Sequence, residues 1–314
     1  MRGGRTATAF GTAVAVAVGL SVAGCAATDS PAVPDPAPRH VRIATGNAGG
    51  VYLPYGEGLA AALTERLPQL TTEVLETGAS VVNLEMLTAG DAELAFTLAD
   101  AAAPHSAELV ALARLYENYL QLVVPQDSPI RSVADLAGRT VSTGSAGSGT
   151  AVAARRVLLA AEVGRLTTTT LSLQESADAL AAGTIDAMFW SGGLPTKAIT
   201  DLQARMPLRL VDLAGVAEEL AEAYRDFYTE SVVPASAYGQ ASAVTTVSVP
   251  NYLVVRRDLD EELAYAITWL LFTERERMIS AHPEARRLDI RSAIATYPLD
   301  LHPGAARYYR AAKH

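Results

Sequence analysis

The chain has 314 residues but only one cysteine, Cys25, and two lysines, Lys197 and Lys313. A single thiol excludes a disulfide framework and a thiolate metal centre. The five histidines, His40, His105, His282, His302 and His314, stand without metal-ligand spacing. No Gly-x-Ser-x-Gly elbow is present to expose a serine nucleophile. Neither catalysis nor a metal or cofactor is therefore expected. Basic residues are scarce too, 25 Lys and Arg against 34 Asp and Glu, and this balance argues against nucleic acid and against a polybasic membrane patch. After the first 25 residues, no apolar run reaches membrane-spanning length without interruption.

What the N-terminus does hold is an export pattern. Arg2 and Arg5 precede a stretch of Ala, Val and Gly that ends in Val22-Ala23-Gly24-Cys25. These four residues resemble a bacterial lipobox, which implies cleavage after Gly24 and a lipid on Cys25 that tethers the protein outside the cytoplasm. Residues 1–24 then form the signal peptide. Without Arg2 and Arg5, 23 basic residues face 34 acidic ones, a net −11. Residues 25–40 are Pro- and Ala-rich and read as an extended tether lifting the domain off the membrane.

Beyond the tether, the chain repeats itself. Thr45-Gly-Asn-Ala-Gly-Gly50 returns as Thr143-Gly-Ser-Ala-Gly-Ser148, each joining a β-branched run to an Ala-rich helical pattern. A second pair, residues 87–96 (LTAGDAELAF) and 180–189 (LAAGTIDAMF), keeps nearly the same offset. A glycine turn that ends a strand and opens a helix presents free backbone N–H groups, where unpaired donors and the helix dipole favour an anion. Two such turns suggest a ligand held from both sides.

Apolar runs alternate with helical patterns, the mark of α/β layering. Strands are expected at 41–44, 72–76, 94–97, 109–115, 120–124, 140–142, 169–173, 187–190, 208–210 and 252–255, and helices at 55–66, 80–88, 133–136, 150–161, 176–181, 196–206, 261–278 and 303–312. Two β-branched or apolar runs closed by proline, Leu122–Pro125 and Val244–Pro250, suggest crossings between two lobes. The first lobe is expected to hold residues 41–122 and 247–314 and the second residues 123–246, with a cleft between them that closes by hinge bending.

Several motifs in order support a family resemblance. Ile43–Gly46, Gly49–Gly56, Thr77–Leu84, Leu136–Val141, Gly144–Thr150, Gly183–Ala187, Gly192–Pro195 and Leu301–Ala305 resemble the TAXI family of extracytoplasmic solute receptors, which serve tripartite ATP-independent periplasmic (TRAP) transporters. The resemblance covers nearly the whole mature chain. It implies a type II periplasmic-binding-protein-like fold of two α/β lobes joined by two hinge strands. It also implies a small carboxylate ligand such as glutamate or 2-oxoglutarate, and a TRAP-type membrane permease as partner. Two departures stand out. The loop after Asp100, Ala101-Ala102-Ala103-Pro104-His105, is shorter than the family's, and Phe189-Trp190 replaces a β-branched pair, so that Trp190 would narrow the pocket.

In the first loop, Gly49 and Gly50 permit close backbone approach to a carboxylate. Tyr52 either presents its hydroxyl to the cleft or packs in the core. Ser80 reads as an N-cap, and the resemblance raises Ser80 and Asn83 to ligand contacts. Asp100, at a strand's C-terminal end, either holds a substrate ammonium or caps a helix. Arg114 either meets a distal carboxylate or pairs with Glu117. Ser145, Ser148, Gly149 and Thr150 form the stronger anion site. It is not a nucleotide loop, because Thr150 stands where a phosphate-loop lysine is required. Trp190 and Gly192 complete the expected lining. The two-lobe architecture also serves other transporters, sensor kinases and, less readily, surface enzymes.

Overall fold

The computed structural model describes Met1, Gly3, Gly4, residues 31–224 and residues 227–313. The signal segment's apolar stretch and Cys25 lie outside the described residues. Strands β1 (Arg39–Ala44), β2 (Leu70–Leu75), β3 (Leu94–Leu98), β4 (Leu109–Pro125), β5 (Thr140–Ser142), β6 (Thr167–Thr169), β7 (Ala187–Gly192), β8 (Leu208–Leu210), β9 (Thr229–Val233) and β10 (Val244–Arg256) form a single sheet. The helices are α1 (Tyr52–Arg66), α2 (Ser80–Ala89), α3 (Ala99–Ala102), α4 (Gly149–Ala160), α5 (Leu173–Ala181), α6 (Lys197–Arg205), α7 (Ala214–Ala223), α8 (Ala235–Tyr238), α9 (Glu261–Thr273), α10 (Arg275–Ala281) and α11 (Pro303–Ala311).

The strand order β2-β1-β3-β10-β4-β7-β5-β6 puts the sequence duplication into space. In each half a central strand, β1 or β5, pairs in parallel with its two neighbours, and the third strand meets a long antiparallel partner. Those partners, β10 for the first half and β4 for the second, also pair with each other. The second repeated motif turns out to be a structural tie. Glu93 accepts a hydrogen bond from the Arg42 amide at 2.8 Å, and its counterpart Asp186 accepts one from the Thr140 amide at 2.8 Å. Each carboxylate ties to its half's central strand, at the fourth residue of β1 and at the first of β5. In each copy the glycine, Gly90 or Gly183, takes positive φ as the chain leaves α2 or α5.

The two expected pairs of separate strands at the crossings are in fact continuous. β4 runs on through Arg114–Tyr119, pairing with β10 on both sides of a bulge at Leu115, where Tyr116 faces Asn251 and Arg114 faces Tyr252. Pro250 lies inside β10. There the strand's outer edge passes from β9, whose first residue Thr229 lies opposite Ser248, to β3, whose last residue Leu98 lies opposite Asn251, so Pro250 falls in the gap between the two on that edge. The expected boundaries at 122/123 and 246/247 fall within these two strands. One buried cluster joins Leu84, Ala95 and Leu98 of the first half to Leu120, Val141 and Phe189 of the second. The hinge strands therefore run over a continuous core.

Other expectations need correction. The helix expected over 261–278 breaks at Glu274, which pairs with Arg66 at 2.8 Å, and α10 then turns onto α1. The strand expected at 169–173 ends at Thr169, because Ser172 and Glu175 form a capping box that opens α5 earlier than 176. α7 and β9 were not expected at all. Residues 31–38 do not stand away from the domain. Pro34 and Pro36 are buried, the Tyr265 hydroxyl donates to the Ala32 carbonyl at 3.0 Å, and β1 begins at Arg39, inside the expected tether.

Candidate functional site

Both glycine turns end a central strand and open a helix, and they face each other across the molecule. In the first, the Thr45 hydroxyl donates to the Leu75 carbonyl at 2.7 Å and Asn47 Nδ2 to the Thr77 carbonyl at 2.8 Å. In the second, Gly144 and Gly147 take positive φ. Ser148 caps α4 by accepting from the Ala151 amide at 3.1 Å. The loops touch: Ser145 Oγ donates to Asn47 Oδ1 at 2.7 Å, and the Val81 amide at the start of α2 donates to the Gly147 carbonyl at 2.9 Å. The start of α2 is thus already engaged. At α4 the Gly149 and Thr150 amides point out of the first turn, where no intrahelical acceptor exists.

Between the loops lies a cavity of about 40 Å³ once a water radius is allowed at every wall, space on the scale of a few water molecules. Of the residues expected at a ligand, Gly50, Tyr52, Ser80, Ser145, Ser148, Gly149, Thr150, Trp190 and Gly192 line it. The space is closely walled. A Cβ on Gly149 would stand 2.5 Å from Leu98 Cδ1 and 2.8 Å from Ser80 Oγ, and one on Gly50 3.4 Å from the Trp190 ring. Trp190 is held by its Nε1–H, which donates to Thr196 Oγ1 at 2.9 Å. Gly192 leaves the space beneath that indole, since a Cβ there would come within 2.3 Å of Nε1.

Four expected residues do not line the cavity, and what surrounds them gives the reason. Gly49 takes positive φ in the turn but faces Ala198 and Leu173. Asn83 is fully buried. Its Nδ2 donates to the Thr45 and Phe96 carbonyls at 2.5 and 2.7 Å, while its Oδ1 accepts from the Thr77 hydroxyl, so it ties β1 to β3. Arg114 pairs with Glu117, Nε–Oε1 3.0 Å, the bland alternative of the two. Asp100 lies in α3 with its side chain fully buried, 2.5 Å from Arg156 Nη1 and accepting from the Tyr228 hydroxyl at 2.9 Å. Burial pushes its carboxyl up, against the pull of Arg156. Ser80 is not an N-cap. It is the first residue of α2, and its Oγ accepts from the Leu98 amide at 3.1 Å.

Tyr52 answers both of its readings. Its ring stacks on Phe96 at 5.3 Å, and its hydroxyl donates to Asn251 Oδ1 at 2.5 Å. The Thr150 hydroxyl accepts from the Ser191 amide at 3.1 Å. The sequence reading missed Asn47, Asn118 and Ser191, all of which line the cavity. Asn47 had a visible signal as the one large polar side chain in either glycine loop. Asn118 had none, because only the β4–β7 pairing aims it at the cleft. Among the described residues no charged side chain lines this cavity.

The NMT1-like family model matches residues 43–312. Solved structures similar to this chain include three in particular. One describes glutathione import through GshT and the cystine ABC importer TcyBC of Streptococcus mutans, at 15% identity over 79% of this chain and 94% of that one, with a TM-score of 0.52. Another is a putative L-cystine ABC transporter protein from Listeria monocytogenes, at 16% identity, 77% and 94% coverage and a TM-score of 0.51. The third is XAC2383 from Xanthomonas citri bound to ATP, at 14% identity, 86% and 94% coverage and a TM-score of 0.51. These likenesses establish the fold, that of the two-lobed type II periplasmic binding proteins.

Proposed function

From the chain's membership of the NMT1-like family, we propose that it is an extracytoplasmic solute receptor that captures a small carboxylate and delivers it to a membrane permease. The observation carrying this reading is the convergence of both glycine turns on one cleft between the halves of the sheet. The ligand's carboxylate would sit on the Gly149 and Thr150 amides at the start of α4, with Ser145 and Ser148 beside it. Lobe 1, residues 41–122 and 247–314, and lobe 2, residues 123–246, would open and close about β4 and β10. Ligand contact to both lobes favours the closed form in proportion to its differential affinity. The work is binding, with no covalent step.

The permease is of the TRAP type in this reading, as the motifs shared with TAXI receptors suggest, and Cys25 carries the lipid that holds the receptor at the outer face of the membrane. Calorimetric titration of the purified chain with small carboxylates tests the receptor half. Saturable binding with no product formed is expected, and turnover of any of them would overturn the proposal. Uptake by the reconstituted permease driven by an ion gradient without ATP supports the TRAP assignment. A requirement for ATP would refute it.

A further inference from the structure

The eight residues ahead of β1 bear on how the molecule sits at a membrane. Residues 31–38 hold four prolines, whose fixed φ keeps the segment extended and lowers the entropy lost when it docks. Pro34 and Pro36 are buried and Asp35 between them is exposed, the period of two that an extended chain shows against a surface. Polar contacts fasten it along its length. The Tyr265 hydroxyl of α9 donates to the Ala32 carbonyl at 3.0 Å, the Asp35 amide donates to Glu262 Oε1 at 3.4 Å, and Gln69 Nε2 donates to Asp35 Oδ1 at 3.2 Å. Tyr265 is held in turn by Arg307, whose guanidinium lies 4.3 Å over its ring. The segment then enters β1 at the end of that strand away from the glycine turn. Gln69 precedes β2, which stands at one end of the strand order, with β6 of the second half at the other. The docked segment therefore marks the pole of the first half remote from the cleft.

Docking at Ala32 leaves at most the residue steps from Cys25 to Ala32 as a leash, and these span about 25 Å at full extension. A compact chain of this length is about 50 Å across. A tether free as far as residue 40 would reach about 54 Å and let the body turn over, whereas a leash of half the body's width does not. We propose that residues 31–38 are a strap that holds the pole of lobe 1 around the start of α9 at the lipid surface, so that lobe 1 is the stationary half of the receptor and lobe 2 the half that swings when the cleft closes. The inference rests on the reading of Cys25 as lipidated and adds to it the face turned toward the membrane. The partner of that face is the bilayer itself, brought there by the leash and not by charge.

The test is energy transfer from the full-length lipidated chain to a vesicle surface. Cys25 is the only cysteine, so with its thiol lipidated an introduced cysteine alone takes a dye. Pro68→Cys, exposed beside Gln69, and Thr168→Cys, exposed on β6, are labelled separately, and each chain is bound to vesicles of phosphatidylcholine carrying an acceptor dye on a lipid headgroup. These vesicles are neutral, so surface charge does not orient the protein. Transfer from the Pro68→Cys dye is expected to exceed that from the Thr168→Cys dye about threefold or more, because a leash half as long as the body is wide keeps the two at different heights. A flexible Gly/Ser insert of about 20 residues after Thr28, which leaves the strap intact, brings the ratio to about one. Pro34→Asp/Pro36→Asp/Tyr265→Phe, which frees the strap, does the same. Equal transfer from the two sites in the native chain, or a ratio that the insert leaves unchanged, overturns the inference. Flotation separates this result from the reading beneath it. If the native chain fails to float with the vesicles, or Cys25→Ser floats as well, the lipid on Cys25 is refuted and the strap's role falls with it. If the native chain floats, Cys25→Ser does not, and transfer from the two sites is equal, the strap's role alone is refuted.

Discussion

Replacing Asp100 by alanine should be among the most destabilising single changes available outside the hydrophobic core. The carboxylate is fully buried and 2.5 Å from Arg156 Nη1, whose own side chain is 17% exposed. Truncation leaves that guanidinium without its counter-ion, a loss that costs about 3–5 kcal/mol for buried pairs. Two features pull the figure toward the lower end. Arg156 stacks 4.4 Å over the Tyr224 ring and 5.5 Å over Tyr228, and its aliphatic stem lets the head group move toward water. A loss of about 3 kcal/mol in a chain of this size lowers the melting temperature by about 5 °C. Urea unfolding of the wild type, Asp100→Ala, Arg156→Met and the double variant Asp100→Leu/Arg156→Met measures it. The double variant should recover most of the loss, because apolar replacement of both partners removes the desolvation cost together with the attraction. Asp100 follows β3 and Arg156 lies on α4, so the pair also joins the two halves, and Asp100→Ala should weaken solute affinity as well. An Asp100→Ala variant within about 1 kcal/mol of wild type, or a double variant showing the sum of both single losses, would refute the reasoning.

Three further outcomes follow from local geometry. His282 and His302, each before a proline, accept on Nδ1 from the amides of Glu284 and Gly304 at 3.2 and 3.1 Å, so both must be neutral. Burial depresses both below the ordinary value of 6.5. The unfolded chain therefore takes up protons first, and stability, constant above about pH 6.5, should decline as pH falls from there toward the depressed values; the double variant His282→Asn/His302→Asn should flatten the melting curve across that window. Gly192→Ala should displace the Trp190 indole, shifting its fluorescence in a Trp269→Phe background and weakening solute binding, and an unaltered spectrum would contradict the close packing seen there. Ser148→Ala should cost about 1 kcal/mol in urea unfolding through loss of the α4 cap and Ser148→Gly only a few tenths, while equal losses would assign the serine a role other than capping.

The duplication was the most legible feature of the chain, because a repeated strand, glycine turn and helix must repeat in space once both copies enter one sheet. Glu93 and Asp186 show how far this goes, since acidic residues at matched places in the two copies make matching hydrogen bonds to the Arg42 and Thr140 amides. The nine cavity-lining residues foreseen all lie on a glycine turn, at the start of a helix or at the end of β7, where position along the chain fixes which way backbone and short side chains point. The misplaced residues share a different trait. Asn83, Asp100 and Arg114 are long enough for their partners to decide their direction, and those partners, Phe96, Arg156 and Glu117, were not identifiable as contacts from spacing alone, Glu117 standing only as one of two readings. Asn118 was missed for the converse reason, as its role depends on the strand opposite.

The central claim is tested most directly by a crystal structure of the chain with whichever carboxylate it binds most tightly. The account predicts solute density between the two glycine turns, with carboxylate oxygens within hydrogen-bond distance of the Gly149 and Thr150 amides. Density at any other surface, or a solute in the cleft that leaves the α4 amides untouched, would contradict it.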